Sequence, residues 1–312
     1  MLEKVIARAH PVSGLIVFHG YRNPELKTMP IDIIYLCMDS LITQTELEIS
    51  GDSTTITIND NEPDAKTSKR IKDYVRHFTE DNFRFRSSNN FEMAVGLASS
   101  ASGYAALAGA VNKALGLEYG NLELSRIARR GSISAASSIA GGLSVIRASQ
   151  DYNYDPPAER IMSPTDLGDL TIVIGCCNIK KDSQDSHSDA ITSPFYPIVV
   201  QYAQNAARDA LQALCDRDIE KLSAIVENHN LMNYTVLHSG RSQTIVWRPE
   251  TISMIRGIRE IRKAGEPIFF SMNTGANVFA YCFSESATEK VKSYFQSQGI
   301  DYKVTKIGDG LQ

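Results

Sequence analysis

Cysteine is scarce in this sequence and follows no pairing pattern. Cys37, Cys176, Cys177, Cys215 and Cys282 form no CxxC unit and are odd in number. That excludes a disulfide framework and a Cys/His zinc site, and it leaves the thiols as small core residues of a reduced, cytoplasmic chain. No apolar run approaches the roughly 20 residues of a membrane span. The opening Met-Leu-Glu-Lys-Val-Ile lacks a basic stretch followed by an apolar one, so no signal peptide is expected. Basic residues are not in excess: 32 Lys and Arg against 36 Asp and Glu leave a net charge of −4. Nucleic acid is therefore not an expected partner. A Walker-type GxxxxGK[ST] loop is also missing.

What is present is an ordinary globular composition, 43% apolar and 22% charged. A length of 312 residues exceeds one compact domain and makes two fused lobes the default. Residues from about Lys4 to Phe18 alternate apolar and polar and then become apolar, which reads as one or two strands. Leu47 to Ile49 and Thr54 to Ile58, separated by a Ser-Gly-Asp-Ser tetrad, predict a β-hairpin. Apolar residues at Ile71, Tyr74, Val75 and Phe78 give one face of a helix over 66–78, and 83–86 predicts a short strand. Gly96 to Gly116 is the clearest helix, with Gly116 as its C-cap. Helices follow over 122–130 and from 134. Leu170 to Cys177 has the continuous apolar pattern of a buried strand, and 180–194 predicts a loop. Helix is expected over 196–228, 249–264 and 287–298, and strands over 268–271, 278–283 and 302–307. The mixture lacks a strict βαβ rhythm and predicts an α+β fold.

The chemistry concentrates in Asn89-Asn90-Phe91-Glu92-Met93-Ala94-Val95-Gly96-Leu97-Ala98-Ser99-Ser100-Ala101-Ser102-Gly103. A Gly/Ala/Ser run opening a helix leaves backbone N–H groups unpaired, adds hydroxyls and the positive end of the helix dipole, and lets an anion approach closely. The same run would also suit a tightly packed core helix.

The segment resembles the phosphate loop of the GHMP kinase superfamily, most closely the diphosphomevalonate decarboxylase branch, which typically reads NNFPxAxGLASSAxG. Arg130-Gly131-Ser132-Ile133-Ser134-Ala135-Ala136-Ser137-Ser138 resembles that branch's RxGSGSACRS. Asn178-Ile179-Lys180-Lys181-Asp182 resembles its lysine segment, Trp247-Arg248-Pro249-Glu250-Thr251 its YWxPET, and Asn273-Thr274-Gly275-Ala276-Asn277 its DAGPN. The resemblance implies a two-lobed GHMP-kinase-like fold with a cleft between the lobes, here divided as 1–185 and 186–312. It further implies a phosphorylated mevalonate as substrate and raises a homodimer as an assembly to consider.

Several positions depart from the pattern. Asn273 replaces the family aspartate, and an amide cannot act as a general base near neutral pH. Ser137 replaces an arginine that binds substrate anions. Val17 and Tyr21 replace the two lysines of KYWGK, and Phe18 and His19 replace its Tyr-Trp. Each lost charge-assisted hydrogen bond is worth roughly 1.5–3 kcal/mol, so other cations must substitute; Arg22, Lys27, Arg70, Lys180 and Lys181 are the candidates.

The resulting expectation is decarboxylation of a mevalonate already phosphorylated at the 3-position, with no cofactor required. Asn273, Lys181 and His19 are the expected catalytic residues. Val17, Phe18, Tyr21, Arg22, Ser132, Ser134, Ser137 and Lys180 are expected to bind substrate, and Asn90, Gly96, Ser99, Ser100, Ser102 and Gly103 to hold phosphate. The alternatives are an ATP- and Mg²⁺-dependent 3-kinase and a non-catalytic paralogue that binds a phosphorylated ligand.

Overall fold

The computed structural model describes residues 4–50, 52–92, 96–177 and 184–312. In chain order the elements are β1 (Val5–Ala9), β2 (Val12–Ile16), β3 (Ile33–Cys37), β4 (Thr43–Ser50), β5 (Thr55–Ile58), α1 (Ala65–Val75), β6 (Asn82–Asn89), α2 (Ser99–Leu115), α3 (Asn121–Gly131), α4 (Ile133–Ala140), β7 (Leu143–Ile146), β8 (Ala158–Met162) and β9 (Thr171–Gly175). They continue with α5 (Gln184–Ala190), α6 (Tyr196–Ala203), α7 (Ala206–Cys215), α8 (Ile219–His238), α9 (Pro249–Lys263), β10 (Ile268–Ser271), β11 (Val278–Cys282), α10 (Glu285–Ser297) and β12 (Tyr302–Lys306).

Three four-stranded sheets result, ordered β1-β4-β6-β5, β2-β3-β7-β8 and β10-β11-β9-β12. The predicted hairpin does not form. β4 pairs antiparallel with β6 over eight residues, setting Leu47 opposite Phe85 and Ile49 opposite Phe83. β5 then joins the far side of β6 in parallel. The long register with its apolar cross-strand pairs wins over a short local turn. Strand β6 is accordingly twice the predicted length.

Helix α2 packs on β1 and β4. Its small residues Ala101, Ala105 and Ala108 and the strand's Ala7 and Ala9 are all buried, which permits close approach. The helix ends where Gly116 turns left-handed at φ 60, a conformation glycine adopts without Cβ strain. Two other expectations fail. The 180–194 loop contains α5, and the long 196–228 helix is three helices, α6, α7 and the start of α8, broken at Gln204–Asn205 and Asp216–Asp218. Strands β3, β7 and β8 had no counterpart in the pattern reading. β9 lies before the 185/186 division, yet both its strand partners, β11 and β12, come after it. Among the described residues no helix is long and apolar enough to cross a membrane.

Helix α8 orients the site. Its residues His229, Asn230, Asn233 and Tyr234 are buried and polar. His229 donates Nε2–H to the Val17 carbonyl at 2.7 Å. Asn233 Oδ1 accepts the His19 backbone N–H at 3.0 Å. Asn230 donates to Met272 O at 3.1 Å, and the Tyr234 hydroxyl reaches the carbonyls of Asn273 (2.6 Å) and Gly275 (2.9 Å). One helix therefore fixes both the chain leaving β2 and the turn between β10 and β11.

Candidate active site

Those two segments form part of the wall of a cavity of about 600 Å³. Val17, Phe18, His19 and Tyr21 contribute from the chain after β2, and Asn273, Thr274 and Gly275 from the β10–β11 turn. Gly96, Ala98, Ser99, Ser100, Gly103 and Tyr104 come from the phosphate-loop segment and α2. Ser132, Ile133 and Ser134 open α4, Arg70 comes from α1, and Lys27, His187, Thr43, Thr67, Ser87 and Asn89 add to the polar lining. Among the described lining residues there is no Asp or Glu.

Two helix N-termini meet the cavity uncapped. Helix α2 starts after Ala98, which is left-handed at φ 54, and α4 after extended Ser132; neither has a side-chain cap. Ala101 N–H already bonds to Ala98 O and Ala135 N–H to Ser132 O, so it is the N–H groups of Ser99, Ser100, Ile133 and Ser134 that can grip an anion. The hydroxyls of Ser100 and Ser132 lie 3.4 Å apart, and those of Ser132 and Ser134 3.1 Å. Gly103 presents open space where a side chain would stand.

Asn273 is held by backbone. Its Oδ1 accepts the Gly14 N–H at 2.8 Å, and its Nδ2 donates to Val12 O at 3.3 Å. A carboxylate could keep the first bond but would set an oxygen against the Val12 carbonyl. His19 is buried and its ring Nδ1 lies 3.0 Å from Asn233 Oδ1. Because that oxygen also takes the His19 backbone N–H, the ring nitrogen is the donor. His187 stacks on Tyr21 with ring centroids 4.0 Å apart, and its Nδ1 accepts the Gly20 N–H at 3.1 Å. Burial, with His19 and Lys27 nearby, holds its pKa well below the ordinary histidine value. Burial also lowers that of His229, to about 4, so both rings are neutral at physiological pH. Burial raises the pKa of the Tyr21 hydroxyl above its usual range, which keeps it a hydrogen-bond donor.

Lys27 donates to Gly131 O at 2.5 Å, at the C-terminal end of α3, where the helix dipole favours a cation. Burial first and then the Arg70 charge lower its pKa to about 8.

Four predicted residues are placed elsewhere. Arg22 bonds to the side chain and backbone of Gln150 and is not in the cavity wall. Ser102 faces β4 and shares a 2.6 Å hydrogen bond with Thr43. Ser137, a turn deeper in α4 than Ser134, is fully buried with its hydroxyl unpartnered among the described residues. Asn90 ties down the β3–β4 connection, accepting from Ile42 N at 2.8 Å and donating to Ser40 O at 2.9 Å. Lys180 and Lys181 lie outside the described residues. The pattern reading missed the polar face of α8, although polar residues at 229, 230, 233 and 234 keep the i, i+1, i+4, i+5 spacing of one helical face.

Residues 9–156 match the diphosphomevalonate decarboxylase-like N-terminal domain. A phosphomevalonate decarboxylase from Haloferax volcanii is 31% identical over 98% of this chain and 96% of its own length. This chain belongs to the diphosphomevalonate decarboxylase family. Among solved structures, the mevalonate diphosphate decarboxylase of Staphylococcus aureus superposes with a TM-score of 0.92 at 25% identity, over 100% of this chain and 98% of that one. A family structure designated MDDEF, in complex with MVAPP, AMPPCP and magnesium, gives 0.91 at 27% identity over 99% and 98%. The α+β, GHMP-kinase-like fold is thereby established, and the chain is an enzyme of this family of mevalonate-pathway decarboxylases. Among the described residues no group of three or more His, Cys, Asp or Glu side chains is placed to hold a metal ion.

Proposed function

We propose that the enzyme eliminates phosphate and CO₂ from a mevalonate phosphorylated at both the 3- and 5-positions, giving isopentenyl phosphate without ATP. The observation that carries this reading is the absence of Asp and Glu from the described cavity lining, together with an Asn273 amide committed to Gly14 and Val12. Phosphorylating the 3-hydroxyl calls for a group to take its proton. Expelling a phosphate already in place does not. The C3–O bond breaks with its electron pair going to the phosphate. The C1–C2 pair then forms the C2–C3 double bond as CO₂ departs. The protein's task is to stabilise the charge on the leaving phosphate. Backbone N–H groups at the start of α2, with Ser99 and Ser100, supply that, and Lys181 is assigned the same task. His19, held by Asn233, orients the substrate. Val17 and Phe18 shape its apolar side, and the hydroxyls of Ser132, Ser134 and Tyr21 donate to its anions.

Incubation with mevalonate 3,5-bisphosphate and no nucleotide is expected to give isopentenyl phosphate with equimolar inorganic phosphate. Absence of product overturns the reading.

A second reading, ATP-dependent 3-phosphorylation, draws on the extent of the cavity. It continues past the phosphate loop to Ile58, Thr67, Ile71 and Phe85, beyond what a six-carbon substrate needs, and MDDEF is described with AMPPCP and magnesium. The α2 N-terminus, Ser99 and Ser100 fit a triphosphate. Mg²⁺ would neutralise charge on the phosphates and rely on their oxygens and these hydroxyls, since no carboxylate stands in the described wall. ADP formation from mevalonate or its 5-phosphate, with Mg²⁺ and ATP, would favour this reading. The cysteines are free thiols, consistent with a cytoplasmic enzyme.

A further inference from the structure

The loop before β3 is built to present one lysine. Arg22 N–H bonds to Thr28 O at 2.9 Å and Thr28 N–H to Asn23 O at 3.1 Å. Inside that turn, Asn23 Oδ1 accepts the N–H groups of Glu25 (3.0 Å) and Leu26 (3.1 Å). Arg129, fully buried, donates Nε–H to Leu26 O at 2.8 Å. So braced, Lys27 takes a left-handed backbone conformation at φ 50, unfavourable for a residue with a Cβ, and reaches Gly131 O. The ring of Tyr104 lies against Gly131, so close that a Cβ there would come within 2.1 Å of it. Over the same ring, at 5.6 Å from its centroid, sits the Arg70 guanidinium. Lys27, Gly131, Tyr104 and Arg70 thus form one contiguous patch of the cavity wall.

Neither cation has a carboxylate partner among the described residues, and each lies within the other's field. Two like charges held together in a partly buried wall need an anion to balance them. Arginine offers a planar fork for phosphate oxygens and lysine a point charge. Ser132, next in the chain after Gly131, adds a hydroxyl. The α2 N-terminus opens toward the β10–β11 turn, where Gly96 and Gly275 approach each other, and it adjoins the clamp through the Ser100 and Ser132 hydroxyls, 3.4 Å apart. The cavity therefore has two anion poles.

We propose that Lys27 and Arg70 clamp the phosphate that stays on the substrate, the 5-phosphate, while the α2 pole takes the one that leaves. This assignment rests on the bisphosphate reading above. It supplies, from outside the KYWGK-like segment, the cations lost at Val17 and Tyr21.

The test compares mevalonate 3,5-bisphosphate with mevalonate 3-phosphate, which lacks the distal group, in wild type, Lys27→Met, Arg70→Met and the charge-keeping Lys27→Arg and Arg70→Lys. Losing one charge-assisted contact is expected to raise KM for the bisphosphate roughly 10- to 100-fold, with KM for the 3-phosphate changed by less than about threefold and kcat little moved. The charge-keeping variants should recover most of the loss. Equal losses on both substrates, or none on either, overturn the clamp. Should wild type turn over neither compound, the decarboxylation reading fails by itself, and calorimetry with inorganic phosphate decides the clamp. Binding to wild type that is weakened in both Met variants supports it; equal binding in all three, or none to wild type, overturns it. Circular dichroism checks each fold, and Arg70→Met decides alone if Lys27→Met does not fold.

Discussion

The two poles of the cavity are built from different materials. Around α2 the donors among the described residues are neutral: backbone N–H groups, Ser99 and Ser100, and a nearby Asn273 turned to backbone. Around Gly131 the donors are full charges, Lys27 and Arg70, braced by a buried arginine and an Asn-centred turn. A departing phosphate gains charge as it leaves, and preorganised dipoles can follow that change while still releasing the product. A phosphate that must stay put is better held by permanent charge. The contrast shows how a family member can lose cations at its usual positions and still present an anion site.

The largest expected effect comes from filling the neutral pole. Ser100→Glu would place a carboxylate in the first turn of α2, where the helix dipole welcomes it, so thermal stability should hold. A second anion about 4 Å away costs about 4 kcal/mol at an effective dielectric constant near 20, so kcat/KM for the bisphosphate should fall roughly a thousandfold. Retained turnover would show that the leaving group does not bind there. Asn273→Asp is a smaller perturbation. It exchanges the Nδ2 bond to Val12 O for an oxygen–oxygen contact, and a loss of roughly 10- to 100-fold in kcat/KM is expected, with a lowered melting temperature. An unchanged melting temperature would argue that the Val12 contact contributes nothing.

The smallest effect separates the poles by pH. Lys27 in the free enzyme, beside the Arg70 guanidinium, has its pKa lowered to about 8, while His187 and Tyr21 stay neutral there. Above pH 8 the clamp loses a charge. KM for the bisphosphate should then rise by up to about tenfold per pH unit, with kcat nearly flat until the fold itself titrates. The stability of the unliganded protein moves the other way. Between about pH 8 and the ordinary lysine value near 10.4 the unfolded chain binds more protons, so this lysine's contribution to stability increases as pH rises. Lys27→Met should flatten both trends.

Much of the neutral pole was legible in the sequence, because a Gly/Ala/Ser run and a C-capping glycine act locally. Helix α2 starts three residues later than read and ends at the predicted cap. The charged pole was only half legible. Lys27 and Arg70 appeared among five candidate cations, yet their meeting depends on Tyr104 lying over Gly131, a contact between residues far apart in the chain. Arg22, drawn from the same segment, points instead to Gln150. The strand errors share that cause. Leu47 finds its partner at Phe85 rather than across the nearest turn, and β7, only four residues long, is defined by what it pairs with. The polar face of α8 carried a periodic signal but lay beyond the helix read over 196–228, which stops one residue short of His229.

That helix has one more consequence. Because Asn230, Asn233 and Tyr234 hold both the stretch after β2 and the β10–β11 turn from one rigid rod, neither segment can shift without straining the other. Heating should therefore dismantle the catalytic wall in a single cooperative step rather than by piecemeal fraying, and a lesion buried in α8 would read out as damage at both sides of the substrate at once.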